Sequence, residues 1–497
     1  MLRLALLVAV AACARRGVVT DDDKPDPPVV ACVDPADLGA VPDDDKPDTA
    51  AIQRAIDIAT AEHKRVCLGR GVFLVERPPR RGQEWGSLMI RSGPIEIAGA
   101  GPGTVIRMSG SGRREDWRAI QITGARGVYL HDFTIDGLGA FDTEEQTHLI
   151  EVVHGSSDVT INRMTLGPMR RPEQQVGAGI GGDCIRLLGR LGAEVSDVTI
   201  ANSTLTACDR SGIALQRGLR RIVITHDVIT GTGDQSIDFE PTGSGSIEDV
   251  IMIGLVIEHH PEAQGPDAIA IGGNGKFTTR RVVLADSKIT GGSIRLLDVA
   301  DVHLLRNRVD GPRGSRAPTI SLMRGTTGVR IAGNTLHRPA TAPPGPVIAA
   351  THLAGRTTRE LAIVDNTIEQ ATPSAVVRLT SASAVEVRRN RLAYRGGDAA
   401  MPLINVSAVL GDVAGVSVAE NEIAGEASAI LVIGNRDHAI KRVDVRGNTA
   451  PLVPVSIRCS GRAVAFEQIT GDQHGVRKVA CRDVQVRERT VAPLPLR

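Results

Sequence analysis

Asp238 and Glu240 stand two residues apart in the segment Ser236-Ile237-Asp238-Phe239-Glu240, where polar and apolar residues alternate as they do in a strand. On a strand such a pair shares one face, about 6.6 Å apart by the strand rise. That is the lower edge of the roughly 6.5–9.5 Å that an inverting glycosidase needs between a protonated acid and a base that activates water. Elimination on a uronate asks for something different: a base beside the sugar C5, for which His148 or Arg210 is placed, and a cation against the substrate carboxylate, for which Arg186 or a bound Ca²⁺ would serve. The expected catalytic set is therefore Asp238, Glu240, Asp183, His148 and Arg186. Glu151, Arg210, Gln216, Asp267 and Trp117 are the expected substrate contacts. No residue is assigned to a metal, and the cofactor is left open with Ca²⁺ as its candidate.

These residues are far apart along the chain, so something must stack them. Short apolar alternations recur at Cys184-Ile185-Arg186-Leu187, Gly212-Ile213-Ala214-Leu215 and Ser236-Ile237-Asp238-Phe239, and second runs follow at Val198-Thr199-Ile200 and Ile222-Val223-Ile224. A unit of two or three such strands cannot bury its inner face alone and must pile on its neighbours, which is the signature of a solenoid. Aligning the coils predicts a central outward column of Gln121, Glu151, Arg186, Ala214, Asp238, Ala270 and Arg295. An earlier outward column holds Arg118, His148, Asp183, Ser211, Gln235 and Asp267, and a later one Gln216 and Glu240. With coils about 4.8 Å apart, His148, Glu151, Asp183 and Arg186 should form one group. The segments before these strands are long at Gly137 to Thr147, Gly167 to Gly182 and Glu258 to Pro266, so the expected groove lies over Gln121 to Gly272, and Trp117, Phe141, Arg170 and Arg171 are expected on its loops.

A further column follows each strand: Asp132, Asn202, Gly254, Asp286, Asn307, Asn334, Asn366, Asn390, Asn421 and Asn448, with Arg163 and His226 as exceptions. Its mean spacing is about 29 residues. Asn, Asp and Gly suit a left-handed turn between strands, and stacked Asn amides can bond along the axis.

The 58 basic and 57 acidic residues nearly cancel, which argues against nucleic acid as a partner. Aromatic residues make up only 2%, too few for a long platform of stacked sugar rings. The first 13 residues, MLRLALLVAVAAC, have the pattern of an export signal, and Val10-Ala11-Ala12-Cys13 that of a lipobox, so Cys13 is the expected lipid attachment and the only expected link to a membrane; cleavage after Ala11 or Ala14 is the alternative. The six remaining cysteines fall into local pairs, Cys32 with Cys67, Cys184 with Cys208 and Cys459 with Cys481, as expected of an exported chain. Residues 14–34 are a Pro- and Asp-rich tether. Asp48 or Thr49 then caps a helix whose Ile52, Ala55, Ile56 and Ala59 share a face, suited to closing the solenoid's open end.

The segments DLGAVPDDDKPDTAAIQRAIDIA, RVCLGRGVFLV and IEIAGAGPGTVIRM, from Asp37 to Met108, resemble the opening of the pectate-lyase-like right-handed parallel β-helix superfamily. The resemblance implies an all-β fold, a right-handed parallel β-helix of about 12 or more coils with an N-terminal α-helical cap. Residues 35–497 would form one such domain: cap and first coil at 35–108, regular coils at 109–450 and closure at 451–497. Gly182-Asp183-Cys184-Ile185-Arg186-Leu187 is also similar to the G-D-D-C strand of polygalacturonase-type hydrolases, which implies a Cys184–Cys208 pair and a role for Asp183. Gly182 stands where that family has its first aspartate, and its histidine and N-T-D strand have no counterpart here. Three readings follow: an exported lyase, hydrolase or epimerase acting on an acidic polysaccharide; a surface lipoprotein that binds glycan or protein without catalysis; or a structural envelope protein.

Overall fold

A computed structural model describes residues 31–77, 84–109, 117–137, 146–169, 176, 181–241, 245–276, 278–351, 356–398, 400–435, 438–461, 466–471 and 479–480. Their strands form three parallel sheets of 16, 15 and 13 strands, in each of which the strand neighbours recur once per coil. Alternation drives this arrangement. In the second sheet Ile185, Ile213 and Ile237 pair in register and are fully buried, so they form one inward file, with Leu187, Leu215 and Phe239 as a second. Each coil hides its apolar face only against the coils before and after it, so the core is a column along the axis. The chain has the right-handed parallel β-helix fold expected.

The helix spans Thr49–Glu62 and buries Ala51, Ile52, Ala55, Ile56 and Ala59 against the first strands. Asp48 stands at its N-cap position but makes no side-chain cap bond. Its carboxylate instead accepts from Val41 N–H and Leu74 N–H, and Thr49 accepts from Glu76 N–H, so these two residues fasten the cap to the first coil.

The turn column proves to be two adjacent columns. The left-handed residues are Asp132, Arg163, Asn202, His226, Gly254, Asp286, Arg306, Gly333, Asp365, Arg389, Glu420 and Gly447. Asn307, Asn334, Asn366, Asn390, Asn421 and Asn448 sit one residue later and are not left-handed; they are the buried ladder. Each Asn from 334 to 421 donates from Nδ2 to the Oδ1 of the next at 2.8–3.0 Å, and that oxygen also accepts the backbone N–H of the previous rung. Both columns attract Asn and Asp, one for backbone conformation and the other for hydrogen bonding, and the expected column merged them by one residue. The left-handed sites held by arginine are paired instead: Arg163 forks onto Asp132, Arg306 onto Asp286 and Arg389 onto Asp365, each one coil back.

Cys32–Cys67 and Cys184–Cys208 are disulfides, joining neighbouring strands as their spacing implied. Cys459 is disulfide-bonded; its expected partner Cys481, like Cys13, the export signal and residues 14–30 of the tether, lies outside the described residues.

Candidate functional site

The second sheet carries the expected chemistry, and its register is the one the alternation implied. Gln121, Glu151, Arg186, Ala214, Asp238, Ala270 and Arg295 are consecutive partners across seven strands, and Gln216 pairs with Glu240. The earlier column meets the central one although the two are three residues apart, since His148 and Glu151 both lie against Arg186. Between Asp267 and Ile269 the register shifts.

Along this face the side chains divide into a sealed half and an open half. In the sealed half, Glu151 binds Arg118 at 2.9 Å, Arg186 at 3.2 Å and Gln121 at 2.7 Å, while Trp85 lies over the Arg118 guanidinium. Arg186 also donates to Gln216 Oε1 and to His148 Nε2. Arg118, Glu151, His148 and Asp183 are no more than 2% exposed, so a polymer cannot touch them. This overturns His148 as the C5 base. Its ring nitrogens are enclosed by Arg186 at Nε2 and by the Asp183 N–H at Nδ1, both at 3.1 Å, and burial, reinforced by the charges of Arg118, Arg186 and Arg210, lowers its pKa well below the ordinary range. Arg118 and Arg186 share the one carboxylate of Glu151.

Trp117 is a second correction. It begins a strand, is 7% exposed, and donates its indole N–H to Ser87 within the core cluster, so it offers no surface for a sugar. Phe141, Arg170 and Arg171 lie outside the described residues.

Asp183 is best understood as a positioning residue. It is fully buried, yet its carboxylate holds the Arg210 fork at 2.8–2.9 Å and accepts the Ser211 N–H. Burial pushes Asp183 up, and Arg210 opposes that shift. The effect is to fix Arg210 at the wall of the open half.

The open half is a pocket of about 240 Å³ lined by Arg210, Asp234, Asp238, Glu240, Asn274 and Arg295 among others. Asp238 and Glu240 stand two residues apart on the strand Ile237–Glu240 and both line the pocket. Burial first, and then the charges of Glu240 and Asp183, raise Asp238 well above the carboxylate range, which favours its protonated form. Gln216 links the two halves by receiving from Arg186 and donating to Glu240 Oε2 at 2.7 Å. Asp267 does not reach the pair; it is tied to Arg295 at 2.9 Å and Ser293 at 2.6 Å, and it orients Arg295 along the wall.

Of the polar side chains that line the pocket, Asp234, Gln235, Asn274 and Arg295 were not among the expected contacts. Arg295 stood in the central column, where its continuation of the face past Ala270 was the available signal. Burial raises Asp234 to about 6. It occupies the same place in its coil as Arg210 does one coil earlier, three residues before the paired Ile237 and Ile213, which is the signal that could have found it. Asn274 is held by its bond to Pro241 O, and nothing in the strand pattern marks it. Among the described residues no group of three or more His, Cys, Asp or Glu is arranged to hold a metal.

No protein-family model matches the sequence, and no curated protein matches it. Solved structures do. The A-module of the mannuronan C-5 epimerase AlgE6 of Azotobacter vinelandii is 18% identical, over 84% of this chain and 99% of that one, with a TM-score of 0.54. The tailspike protein of E. coli bacteriophage HK620, solved with a pentasaccharide, is 12% identical over 83% of this chain and 78% of its own, with a TM-score of 0.58. At such identities the likeness is one of fold. The chain has the right-handed parallel β-helix fold that these structures share.

Proposed function

We propose that this chain is exported and performs acid–base chemistry at C5 of a uronate-containing polysaccharide, by elimination or by epimerisation, in the pocket around Asp238 and Glu240. The observation that most supports this reading is that Asp238 and Glu240 line one pocket together with Arg210 and Arg295, where burial raises Asp238 and so favours its acid form. A C5 proton is acidic only when the adjoining carboxylate is neutralised, and the cations at hand are Arg210 and Arg295, whose charge is shared with the Asp183 and Asp267 carboxylates that hold them in the wall. Glu240 is then the partner that takes the C5 proton. In elimination the released pair forms the C4–C5 double bond, the C4–O bond breaks, and the leaving oxygen takes the proton of Asp238. In epimerisation the C4–O bond stays intact and Asp238 gives its proton to C5 on the face opposite the one Glu240 deprotonates.

The disulfides accord with export, since such bonds persist in oxidising compartments. The neighbours in fold include an epimerase of mannuronan and a tailspike seen with an oligosaccharide, which supports a polysaccharide as partner.

The test is turnover of polyuronates, followed by absorbance of unsaturated ends and by the composition of the polymer. Asp238→Asn and Glu240→Gln are each expected to lower the rate by about 10²- to 10⁴-fold with the fold intact by circular dichroism. Undiminished turnover in both variants, or no change in any polyuronate with the native protein, would remove the proposal.

A further inference from the structure

The proposed reaction touches none of the charges in the sealed half, yet that half sends one hydrogen bond into the pocket. Arg186 donates to Gln146 Oε1, lies 3.1 Å from His148 Nε2 and 3.2 Å from Glu151 Oε1, and is only 8% exposed, so its guanidinium is held in place. Its Nε and Nη2 then close as a fork on a single atom, Gln216 Oε1, at 2.9 and 2.7 Å. Arg186 can reach across because its register partner on the next coil is Ala214, too short to stand between it and Gln216 two residues further along.

The direction of each bond in this run is fixed at its start. A guanidinium only donates, so the oxygen of the Gln216 amide faces Arg186 and the NH2 group faces the other way. That NH2 group can only donate in its turn, and it lies 2.7 Å from Glu240 Oε2, so Oε2 accepts and carries no proton. Asp238, the other carboxyl of the strand, is the one that burial pushes up.

We infer that Gln216 is a positioning residue: clamped by Arg186, it fixes Glu240 as the proton acceptor of the pocket and leaves the donor's part to Asp238. This rests on the proposed acid–base reaction, and adds to it the reason why two carboxyls on one strand take different roles. It also gives the sealed half a use, since the contacts that hide Arg186 from a polymer are the ones that aim it at Gln216.

Two measurements test this. Neutron diffraction from crystals exchanged into D₂O reads the bond itself and needs no turnover: a deuteron on Gln216 Nε2 directed at a bare Glu240 Oε2 is expected, and a deuteron on Oε2 directed at Gln216 overturns the assignment. Kinetics on a polyuronate read the consequence. Gln216→Met keeps the length but loses the donor, and is expected to lower kcat about 10- to 100-fold with little change in KM or in thermal unfolding. Gln216→Glu keeps the shape but sets an acceptor against Glu240; the new carboxylate pairs with Arg186, so a proton shared across the contact settles on Glu240. That variant should lose more of kcat than Gln216→Met and carry the rising limb of the kcat–pH profile to higher pH. A role in shape alone gives the opposite order, with Gln216→Glu the milder change, and that result also overturns the inference. If the native protein converts no polyuronate the proposed reaction falls, while the neutron map still decides by itself which way the bond runs.

Discussion

A carboxyl that keeps its proton beside a second carboxyl has a use only while the proton stays. Asp238 is raised by burial and by Glu240, so the acid form persists into the pH range where an ordinary aspartate is fully ionised. Turnover should therefore fall as pH rises through that raised value, and a pH–rate profile of kcat checks this: the falling limb belongs to Asp238 and should vanish, together with most of the rate, in Asp238→Asn. Arg210 belongs to the same argument one contact away. Asp183→Asn would release the Arg210 fork and is expected to raise KM for the polyuronate more than it lowers kcat, because the cation is then present but no longer aimed. The position of Asp238 and Glu240 was legible from alternation alone, since period two fixes which side chains leave the sheet. The burial of His148 and Glu151 was not. A column of outward residues says which way each points, not whether Arg118, Gln121 and Arg186 are long enough to close over it. Asp234 escaped notice because it lies before the strand Ile237–Glu240, outside the alternation on which the columns were built.

Among the elements, the ladder position holds Phe133, Met164, Ser203, Asp227, Leu255 and Ser287 in the coils before Asn307, and one of these is an acid. Asp227 occupies the position that asparagine holds from Asn307 to Asn448: its Oδ1 accepts the Ser203 N–H at 2.7 Å, as an Asn oxygen would, but its Oδ2 is buried without a partner. Burial raises its pKa from 3.8 to about 7. The sign follows from proton counting. Between about pH 4 and pH 7 the folded chain binds a proton that the unfolded chain does not, so this carboxyl's contribution is complete below about 4 and is lost as pH rises to about 7. Asp227→Asn should raise the thermal midpoint at pH 8 and leave it nearly unchanged at pH 4; an equal shift at both would contradict the assignment. Within the regular ladder, Asn366→Ala strands the N–H and Nδ2 of Asn334 and the carbonyl of Ile331, a loss on the order of 3 kcal/mol readable as a lower midpoint. The ladder itself was visible in the sequence, but one residue out of place in the first coils, because a left-handed turn and a hydrogen-bonding rung select overlapping residue types on adjacent positions.

At the scale of the whole molecule, stacking turns one-dimensional spacing into a vertical file, and so a site can be assembled from residues some 30 positions apart without any of them being near in the chain. The same stacking means that a local brace acts on the site. Cys184–Cys208 ties two successive coils, closes 24 residues, and adjoins Asp183; replacing both cysteines by alanine should lower stability by about 3 kcal/mol and, by loosening Asp183, raise KM as well. The fold was readable to this depth because a repeat states its own period many times over, whereas a pocket is stated once. What ties the pocket to chemistry is the claim that Asp238 and Glu240 act at the carbon next to a sugar carboxylate. Proton NMR of a polyuronate incubated with the protein in D₂O follows that carbon directly: the account predicts steady loss of the C5 proton signal with the native chain and none with Glu240→Gln. A polymer that is shortened while every C5 proton is retained would contradict it.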